Sequence, residues 1–407
     1  MSFTVDHECP QCGAPLELEE TNRLLRCPYC HVKTFLFAHD HFRFVLPHKA
    51  PNQEILYAPY VRFKGTVYFC QGTSINHRIV DITHQGTTFT GLPLSLGVRP
   101  QAMKMRFVTP EVAGLFLSCS VKIADVLVDA GNRSSMIQSR LFHRAYIGEA
   151  ISLIYLPIFL QHDKIFDGVL NRPIGRVPND VNAFVRVADD NDRWQIKCMA
   201  TVCPHCGWNL DGEKDSVALM CSNCDTVWEA SAGQFVQVKV GTVPGSGKTA
   251  VYLPFWKIGA RADGVEINSY GDFIRVTRQP IVFHKHWDQQ DMFFWLPAFK
   301  IRPRVFLRLS RQLTVTQQAF DVNEEIPRKK IHPVTLPRSE AAQSIKVTFA
   351  SCAVTKRKIF PMLPRINFQM HRAMLVYLPF TDTGHDIVQE HTRVTIQKKT
   401  LEFGRHL

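Results

Sequence analysis

Apolar residues in this chain are concentrated in short blocks that carry a proline between large apolar side chains. Three such Pro-marked blocks lie in the first half of the chain and three lie in the second half, in the same order. The blocks cover residues 55–65, 91–100 and 153–159, with counterparts at 251–259, 295–303 and 375–380. Short runs rich in Val, Ile, Tyr and Phe are typical of strands, and a proline there indicates an edge position, a strand start or a bulge. The pattern predicts two β-rich halves.

Helical signals are sparse and precede the third Pro-marked block of each half. In the first half they cover residues 120–129 and 135–147, and in the second half they cover residues 339–349. The last segment opens with Ser339-Glu340, which favours a helix start after Pro337. We therefore predict an α+β, β-rich fold class with a few short helices.

Eight of the twelve cysteines form two identical spacing patterns. Cys9-Pro-Gln-Cys12-Gly is followed after fourteen residues by Cys27-Pro-Tyr-Cys30, and all four positions recur 194 residues later. A Cys-x-x-Cys turn directs two thiolates to one point, the following glycine tolerates the tight backbone, and a second such turn completes a tetrahedron. In a reducing compartment, paired turns of this kind favour a metal over disulfides. The spacing predicts two tetrathiolate metal sites.

These two segments resemble zinc ribbons, which are small metal-held β-hairpins that dock onto proteins or nucleic acids. Their Cys-Pro-x-Cys-Gly turns also resemble those of rubredoxins, so iron is a less favoured alternative to zinc. The resemblance covers about 22 residues in each half, and the rest of the chain resembles no characterised family. It implies two structural Zn²⁺ ions. The implied ligands are Cys9, Cys12, Cys27 and Cys30 for one ion, and Cys203, Cys206, Cys221 and Cys224 for the other.

The ordered landmarks predict a tandem duplication of a unit built from a zinc ribbon and a Pro-marked β-sheet. We place the first ribbon at residues 1–34 and the β-rich domain of the first repeat at 35–172. An acidic, Pro-containing stretch at 173–197 is the predicted linker. The second ribbon then covers 198–230, and the second β-rich domain covers 231–407.

Length and composition favour an ordinary soluble protein with more than one domain. The chain has 407 residues, of which 45% are hydrophobic and 21% are charged. The first residues show no basic region followed by an apolar run, and no apolar stretch reaches the roughly 20 residues that a spanning helix needs. We expect a cytoplasmic protein without a transmembrane segment.

The net charge of +12 lies mostly in one segment, because residues 300–372 carry 15 basic and 4 acidic side chains. Residues 301–310 alternate strictly and predict a strand with arginines and one aromatic on one face. Such a face suits a phosphate backbone, whereas the alternative is a solvated sheet face with charged turns. The candidate nucleic-acid contacts are Arg302, Arg304, Phe306, Arg308, Arg328, Lys329, Lys330, Lys356, Arg357 and Lys358.

Signatures of catalysis are weak. Residues 243–249 resemble the end of a phosphate-binding P-loop with Lys248 and Thr249, but the required first glycine is replaced by Thr242, and a strand-like run follows. The histidine pairs at His39/His41 and His284/His286 lack a third ligand at a defined spacing. We therefore predict a non-enzymatic, zinc-binding structural or adaptor protein that presents two ribbons to a protein complex. Nucleic-acid binding is the alternative, and a P-loop hydrolase is a remote one.

Overall fold

The computed structural model describes residues 3–50, 54–88, 91–123, 125–128, 140–177, 194–245, 250–328 and 330–405. Among the described residues, strands account for 42% and helices for 18%, which confirms the predicted β-rich fold. Backbone proximity divides the chain into two compact units. The first consists of Met1–Lys64, Val80–Ser135 and Ala150–Ala200, and the second consists of Gly65–Ile79, Met136–Glu149 and Thr201–Leu407.

Strands β1 to β13 follow one another from the N-terminus. They are β1 (Thr4–Glu8), β2 (Pro15–Glu19), β3 (Leu24–Arg26), β4 (Lys33–Phe37), β5 (Phe42–Val45), β6 (Leu56–Gln71), β7 (Ser74–Gln85), β8 (Met105–Phe107), β9 (Leu115–Phe116), β10 (Leu141–Gln161), β11 (Lys164–Asp167), β12 (Arg172–Arg176) and β13 (Lys197–Ala200). A short helix, α1 (Arg99–Ala102), lies between β7 and β8. The large sheet has the order β12-β11-β10-β5-β8-β1-β2, and β6 pairs with β10, β7 and β9. A smaller sheet has the order β13-β4-β3.

The core of the first unit has two apolar clusters, which lie on opposite sides of the strands. Tyr60 and Ile154 belong to one cluster, whereas their chain neighbours Val61 and Tyr155 belong to the other. This division follows from the two-residue period of a strand, which sends successive side chains to opposite faces. The Pro-marked blocks at 55–65 and 153–159 are thus buried strands, as the apolar pattern predicts.

The remaining strands and helices follow from residue 218 onwards. The strands are β14 (Ala218–Cys221), β15 (Thr226–Ser231), β16 (Gln234–Val238), β17 (Val240–Thr242), β18 (Ala250–Asp263), β19 (Phe294–Pro297), β20 (Asn367–Asp382), β21 (Asp386–Gln389) and β22 (Thr395–Gln397). The helices are α2 (Tyr270–Thr277), α3 (Pro303–Thr316), α4 (Arg338–Gln343), α5 (Ile345–Cys352), α6 (Lys356–Ile359) and α7 (Lys398–Gly404), with 3₁₀ helices at Lys285–Asp288 and Phe360–Arg365. One sheet has the order β14-β15-β16. The other has the order β19-β18-β20-β21-β22, with β17 also paired to β20.

The predicted strand at residues 301–310 is wrong, because residues 303–310 form the start of α3. Phe306, Leu309 and Leu313 are buried at a spacing of three to four residues, which is the period of a helix packed on one side. Pro303 is well suited to the first helical position, where no intrahelical donor is needed. The period-two alternation of arginines therefore does not correspond to a sheet face.

Two further predictions are corrected by the strand positions. Residues 141–147, predicted as part of a helix at 135–147, open β10, whereas residues 135–139 lie outside the described ones. The blocks 91–100 and 295–303 are predicted to match as strands, and this match is also wrong. Phe294–Pro297 is a strand, whereas residues 91–98 form no extended strand. By contrast, the helix predicted at 339–349 is confirmed by α4 and α5, and residues 125–128 are helical within predicted segment 120–129.

The two central strands β10 and β20 have the same pattern of neighbours. Each pairs in parallel with a short strand, β5 or β17, and antiparallel with a following strand, β11 or β21. Each of those following strands pairs antiparallel with the next, β12 or β22. The registers agree as well: Leu46 N donates to Tyr155 O over 3.1 Å, and Val243 N donates to Tyr377 O over 3.0 Å.

The agreement extends to the buried side chains that close the next turn. Asp167 pairs with Ile158, and Gln389 pairs with Phe380, at the same distance from the two tyrosines. The Asp167 carboxylate accepts the backbone N–H groups of residues 169 and 170, and the Gln389 side-chain oxygen accepts those of residues 391 and 392. Both turns then end in a left-handed residue, Asn171 or Arg393.

The predicted linker at 173–197 begins inside β12 and ends at the first residue of β13. Its residues 178–193 lie outside the described ones. The boundaries of the ribbons and the β-rich domains therefore stay predictions.

Candidate metal centres

The first cysteine group is held by two hairpins. Cys9 and Cys12 lie in the turn between β1 and β2, and Cys27 and Cys30 lie in the turn between β3 and β4. Cys9 N donates to Ala14 O and Gly13 N donates to Cys9 O, both over 2.9 Å. Gly13 has a φ of 69°, a left-handed conformation that glycine adopts without steric cost. The tight turn that the Cys-x-x-Cys-Gly sequence predicts is therefore formed.

The second group repeats this backbone. Cys203 N donates to Trp208 O over 2.7 Å, Gly207 N donates to Cys203 O over 2.9 Å, and Gly207 has a φ of 75°. Cys221 ends β14, and Cys224 lies in the turn before β15. The first turn of this group is flanked by a single β-bridge between Val202 and Asn209. At the equivalent turn of the first ribbon, β1 and β2 pair over five residues each.

The sulfur atoms of each group lie at the corners of a small polyhedron, within 4.8 Å of one another. The Cys9–Cys30 and Cys12–Cys27 sulfurs are 3.7 Å apart. In the second group, the Cys203–Cys224 sulfurs are 3.7 Å apart, and the Cys206–Cys221 sulfurs are 3.4 Å apart. A tetrahedral ion with Zn–S bonds of about 2.3 Å requires sulfur separations of about 3.8 Å. Both groups could therefore hold a metal ion.

Exposure follows the same order in the two groups. The first and third cysteines are buried, the second is exposed, and the fourth is half-buried. Four thiolates saturate a tetrahedral ion, which leaves no coordination position for water or substrate. The arrangement suits a structural ion and not a catalytic one.

Backbone N–H groups prepare one thiol of each group for metal binding. Burial alone would raise the pKa of Cys27 and Cys203. N–H groups of the turns, from Cys30 and Tyr29 in one case and from Cys206 and His205 in the other, act together with hydrogen bonds from neighbouring side chains and lower each pKa to about 6. The thiolate is the form that ligates a metal, so the required charge state is favoured at these two positions.

A hydroxyl group next to the second cysteine group has no counterpart in the first. Thr226 Oγ1 lies 3.1 Å from Cys224 Sγ and 3.7 Å from Cys203 Sγ. The indole of Trp228 donates to the same oxygen over 2.8 Å, which leaves the hydroxyl proton for a sulfur. The equivalent residue of the first ribbon is Val32. Cys27 N donates to Val32 O, and in the second ribbon Cys221 pairs with Thr226 in the same way. Aligning the two cysteine patterns would have revealed this difference.

Arg328, a predicted nucleic-acid contact, binds the second ribbon. Its guanidinium donates to the Asp225 carboxylate over 2.6 Å and to Ser222 O over 3.2 Å. Asp225 follows the last ligand and has a φ of 51°, as His31 has 60° in the first ribbon. The contact fixes the turn that carries Cys224.

The other predicted basic residues are scattered over different elements. Arg304 and Arg308 are exposed on α3, Arg302 precedes that helix, and Phe306 is only 3% exposed, so it is not free to stack on a base. Arg308 donates to the backbone oxygen of Thr395 over 2.6 Å. Lys330 is exposed, and Lys329 lies outside the described residues. Lys356, Arg357 and Lys358 lie in α6.

The geometry does not support the histidine pair His284/His286 as a metal site or the P-loop-like segment as a phosphate site. Apart from the two cysteine groups, no cluster of three or more metal-ligating side chains occurs among the described residues. The rings of His284 and His286 lie 5.6 Å apart, and both lie close to the Trp287 ring. Of the P-loop-like segment, Lys248 and Thr249 lie outside the described residues, and strand β18 begins directly after them.

No known protein family, no curated protein and no solved structure matches this chain. Over the described part of the chain, none of the helices has the length and apolar character that crossing a membrane requires.

Proposed function

We propose that this chain is a zinc-binding structural or adaptor protein, without catalytic activity, whose two ribbons brace its halves and present surfaces to a protein complex. The observation that carries the proposal is the pair of closed Cys₄ groups with sulfur separations suited to a tetrahedral ion. Ions held in this way contribute folding free energy. Zinc is preferred over iron because nothing else in the chain suggests electron transfer.

Exposed aromatic side chains beside the ligands support a docking role for the ribbons. Tyr29, between the ligands Cys27 and Cys30, is 65% exposed. Trp208, two residues after the ligand Cys206, is 57% exposed. Large aromatic residues are enriched where protein interfaces concentrate their binding energy. We therefore assign partner contact to these two positions.

The adaptor role is tested by affinity capture from cells, with metal content measured on the same preparations. Wild-type protein is expected to carry two zinc ions per chain and to capture a defined set of partners after nuclease treatment. Tyr29→Ala with Trp208→Ala should lose those partners and keep both ions. A matched control is Leu94→Ala with Val98→Ala, which removes two other exposed apolar side chains. Unchanged capture by the ribbon variant would contradict the proposal.

The common pairing pattern around β10 and β20 supports a tandem duplication as the origin of the two halves. The 194-residue spacing of the cysteines, the matched bonds to Tyr155 and Tyr377, and the equivalent turns at Asp167 and Gln389 all follow one order. We propose that each half pairs one ribbon with one such sheet. The differences in helix and loop length between the halves are then later additions.

Nucleic-acid binding is the second candidate, and the observation that favours it is a basic helix face. Arg304, Arg308 and Arg311 are spaced four and three residues apart on α3, are all exposed, and share this helix with no acidic residue. Such a stripe can follow a phosphate backbone. In this proposal, Arg311 replaces Phe306 among the predicted contacts.

This candidate is tested with short single- and double-stranded nucleic acids over a salt series. Tight binding should weaken steeply with salt, and Arg304/Arg308/Arg311→Ala should flatten the slope. Lys164/Arg172/Arg176→Ala removes the same charge from exposed positions elsewhere and serves as the control. Equal losses in the two triple variants would indicate a nonspecific charge effect.

A further inference from the structure

Six consecutive exposed residues follow α2 and extend into the 3₁₀ helix Lys285–Asp288. The run covers residues 281–286 and begins with Ile281, Val282 and Phe283, of which Val282 is 79% exposed. Three consecutive apolar side chains at the surface are unusual in a soluble protein and indicate a contact surface. We call this run, together with Trp287, the apolar loop.

The apolar loop is anchored at both ends, so its exposure is built into the fold. At its start, α2 ends at Arg278 in a left-handed conformation, and Ile281 N donates to Gln279 O over 2.9 Å. At its end, the Trp287 ring packs at 5.0 Å from the Tyr270 ring and at 5.8 Å from the Phe283 ring. The Phe283 ring thus contacts the Trp287 ring and the Arg275 guanidinium, which lies 4.4 Å from its centroid, whereas Val282 projects into solvent.

Two cations at the apolar loop have no neutralising partner among the described residues. Arg278 and Lys285 lie within or beside it, and no acidic residue occurs between residues 278 and 287. The one nearby acidic pair, Asp272 and Asp288, is already bound by Arg275. In the described part of the chain, neither Arg278 nor Lys285 forms an ion pair.

A second segment of the same character is bonded to this region. Val354 N donates to Thr277 O over 3.0 Å, which places the start of the segment 354–365 beside the C-terminal end of α2. Val354 and Met362 are exposed. The segment has four cations and no acidic residue, and none of the four forms an ion pair with a described residue. These cations are Lys356, Arg357, Lys358 and Arg365.

We propose that the apolar loop and segment 354–365 form a docking surface for an anionic phospholipid bilayer. Ile281, Val282 and Phe283 enter the boundary between head groups and acyl chains, and the surrounding cations bind lipid phosphates. Exposed apolar side chains combined with unpaired cations are the two attractions that hold a peripheral protein on such a surface. Trp287 at the edge of the loop suits the head-group level, where Trp is enriched.

The charge pattern favours this occupant over two others. A nucleic acid would use the cations but would gain nothing from Val282, because that side chain has no base-stacking surface. A second copy of the chain would bury the apolar side chains and bring two sets of cations together, which is unfavourable. An anionic bilayer satisfies both features at once. The inference does not depend on metal binding by the ribbons.

The test is cosedimentation of the full chain with vesicles of phosphatidylcholine alone and of phosphatidylcholine with phosphatidylserine. We expect binding to the anionic vesicles only, with a dependence on salt. Val282→Ser with Phe283→Ser should lower the partition coefficient at least about tenfold, because two apolar side chains that would be buried in the bilayer are removed. Arg357→Ala with Lys358→Ala should lower the preference for anionic lipid and its salt dependence.

Leu94→Ser with Val98→Ser is the control for loss of exposed apolar side chains, and it should sediment as the wild type does. All variants are first checked for an unchanged melting curve. Equal binding to both vesicle types, no binding, or full binding by the Val282/Phe283 variant would overturn the proposal. So would a concentration-dependent dimer, measured without lipid, that this variant abolishes, because the occupant would then be a second copy.

Discussion

The two cysteine groups have nearly identical backbones and different surroundings. In both, the same N–H groups close the turns and a glycine takes a left-handed φ. The first group is built into sheets, because β1 pairs with β2 and β8, and β4 pairs with β3 and β13. The second has a single bridge at its first turn, the three-stranded sheet β14-β15-β16 at its second turn, and the Thr226 hydroxyl at its sulfurs. The turn sequence thus suffices for the ligand geometry, and the neighbours decide how each site is coupled to the fold.

Loss of one ligand is expected to have the largest effect and to separate the two ribbons. Cys12→Ser and Cys206→Ser should each reduce the bound metal from two ions to one, because three thiolates no longer close the site. Each should lower the free energy of unfolding of its unit by about 5 kcal/mol or more. Because β1 belongs to the ten-stranded sheet, whereas the first turn of the second ribbon has a single bridge, Cys12→Ser should open more backbone N–H groups to hydrogen exchange than Cys206→Ser.

Metal content by mass spectrometry and site-resolved hydrogen exchange measure these effects. Cys198→Ser is the control, since it removes an exposed thiol from β13 and leaves both ligand sets intact. Two ions still bound in either ligand variant, with an unshifted melting curve, would refute the structural role of that site.

The second prediction uses the equivalent turns at Asp167 and Gln389. Both side chains are fully buried and accept two backbone N–H groups, but only Asp167 also carries a charge, which is paired with Arg99 over 2.7 Å. Asp167→Ala should cost about 3–5 kcal/mol, because it leaves the Arg99 guanidinium unpaired. Gln389→Ala should cost about 1–3 kcal/mol, because it leaves only neutral donors unsatisfied.

Chemical denaturation of the two variants measures this difference. Asp167→Asn keeps an oxygen for the N–H groups and removes the charge, so its loss reports the ion pair with Arg99. Equal losses for Asp167→Ala and Gln389→Ala would mean that the charge adds nothing to the shared turn.

The sequence was most informative where chemistry is local. Two Cys-x-x-Cys turns and their glycines need only a few consecutive residues, and these turns formed as predicted. The pairing of Ala200 with Thr34, by contrast, joins residues far apart in the chain, and nothing in either segment specifies its partner. The helix at Pro303 was missed because arginines at even positions suggested a period of two. The burial of Phe306, Leu309 and Leu313 shows that the apolar residues alone carried the helical period.

The smallest expected effect tests whether side chains near the sulfurs distinguish the two ribbons. Thr226→Val removes the hydroxyl at 3.1 Å from Cys224 Sγ and should weaken metal binding at the second ribbon about tenfold. Val32→Thr places a hydroxyl at the equivalent position of the first ribbon and should strengthen metal binding there by a smaller factor. Position 32 is 38% exposed, so the new hydroxyl would also bind water.

Competition for the metal with a coloured chelator should give two release phases, one for each ribbon. Cys12→Ser and Cys206→Ser show which phase belongs to which ribbon. Thr226→Val is made in the Trp228→Phe variant and compared with that variant, because Trp228→Phe removes the indole donor that would otherwise lose its acceptor. If Thr226→Val releases metal as slowly as the Trp228→Phe variant, the hydroxyl does not stabilise the thiolates, and the difference between the ribbons lies in their strand pairing alone.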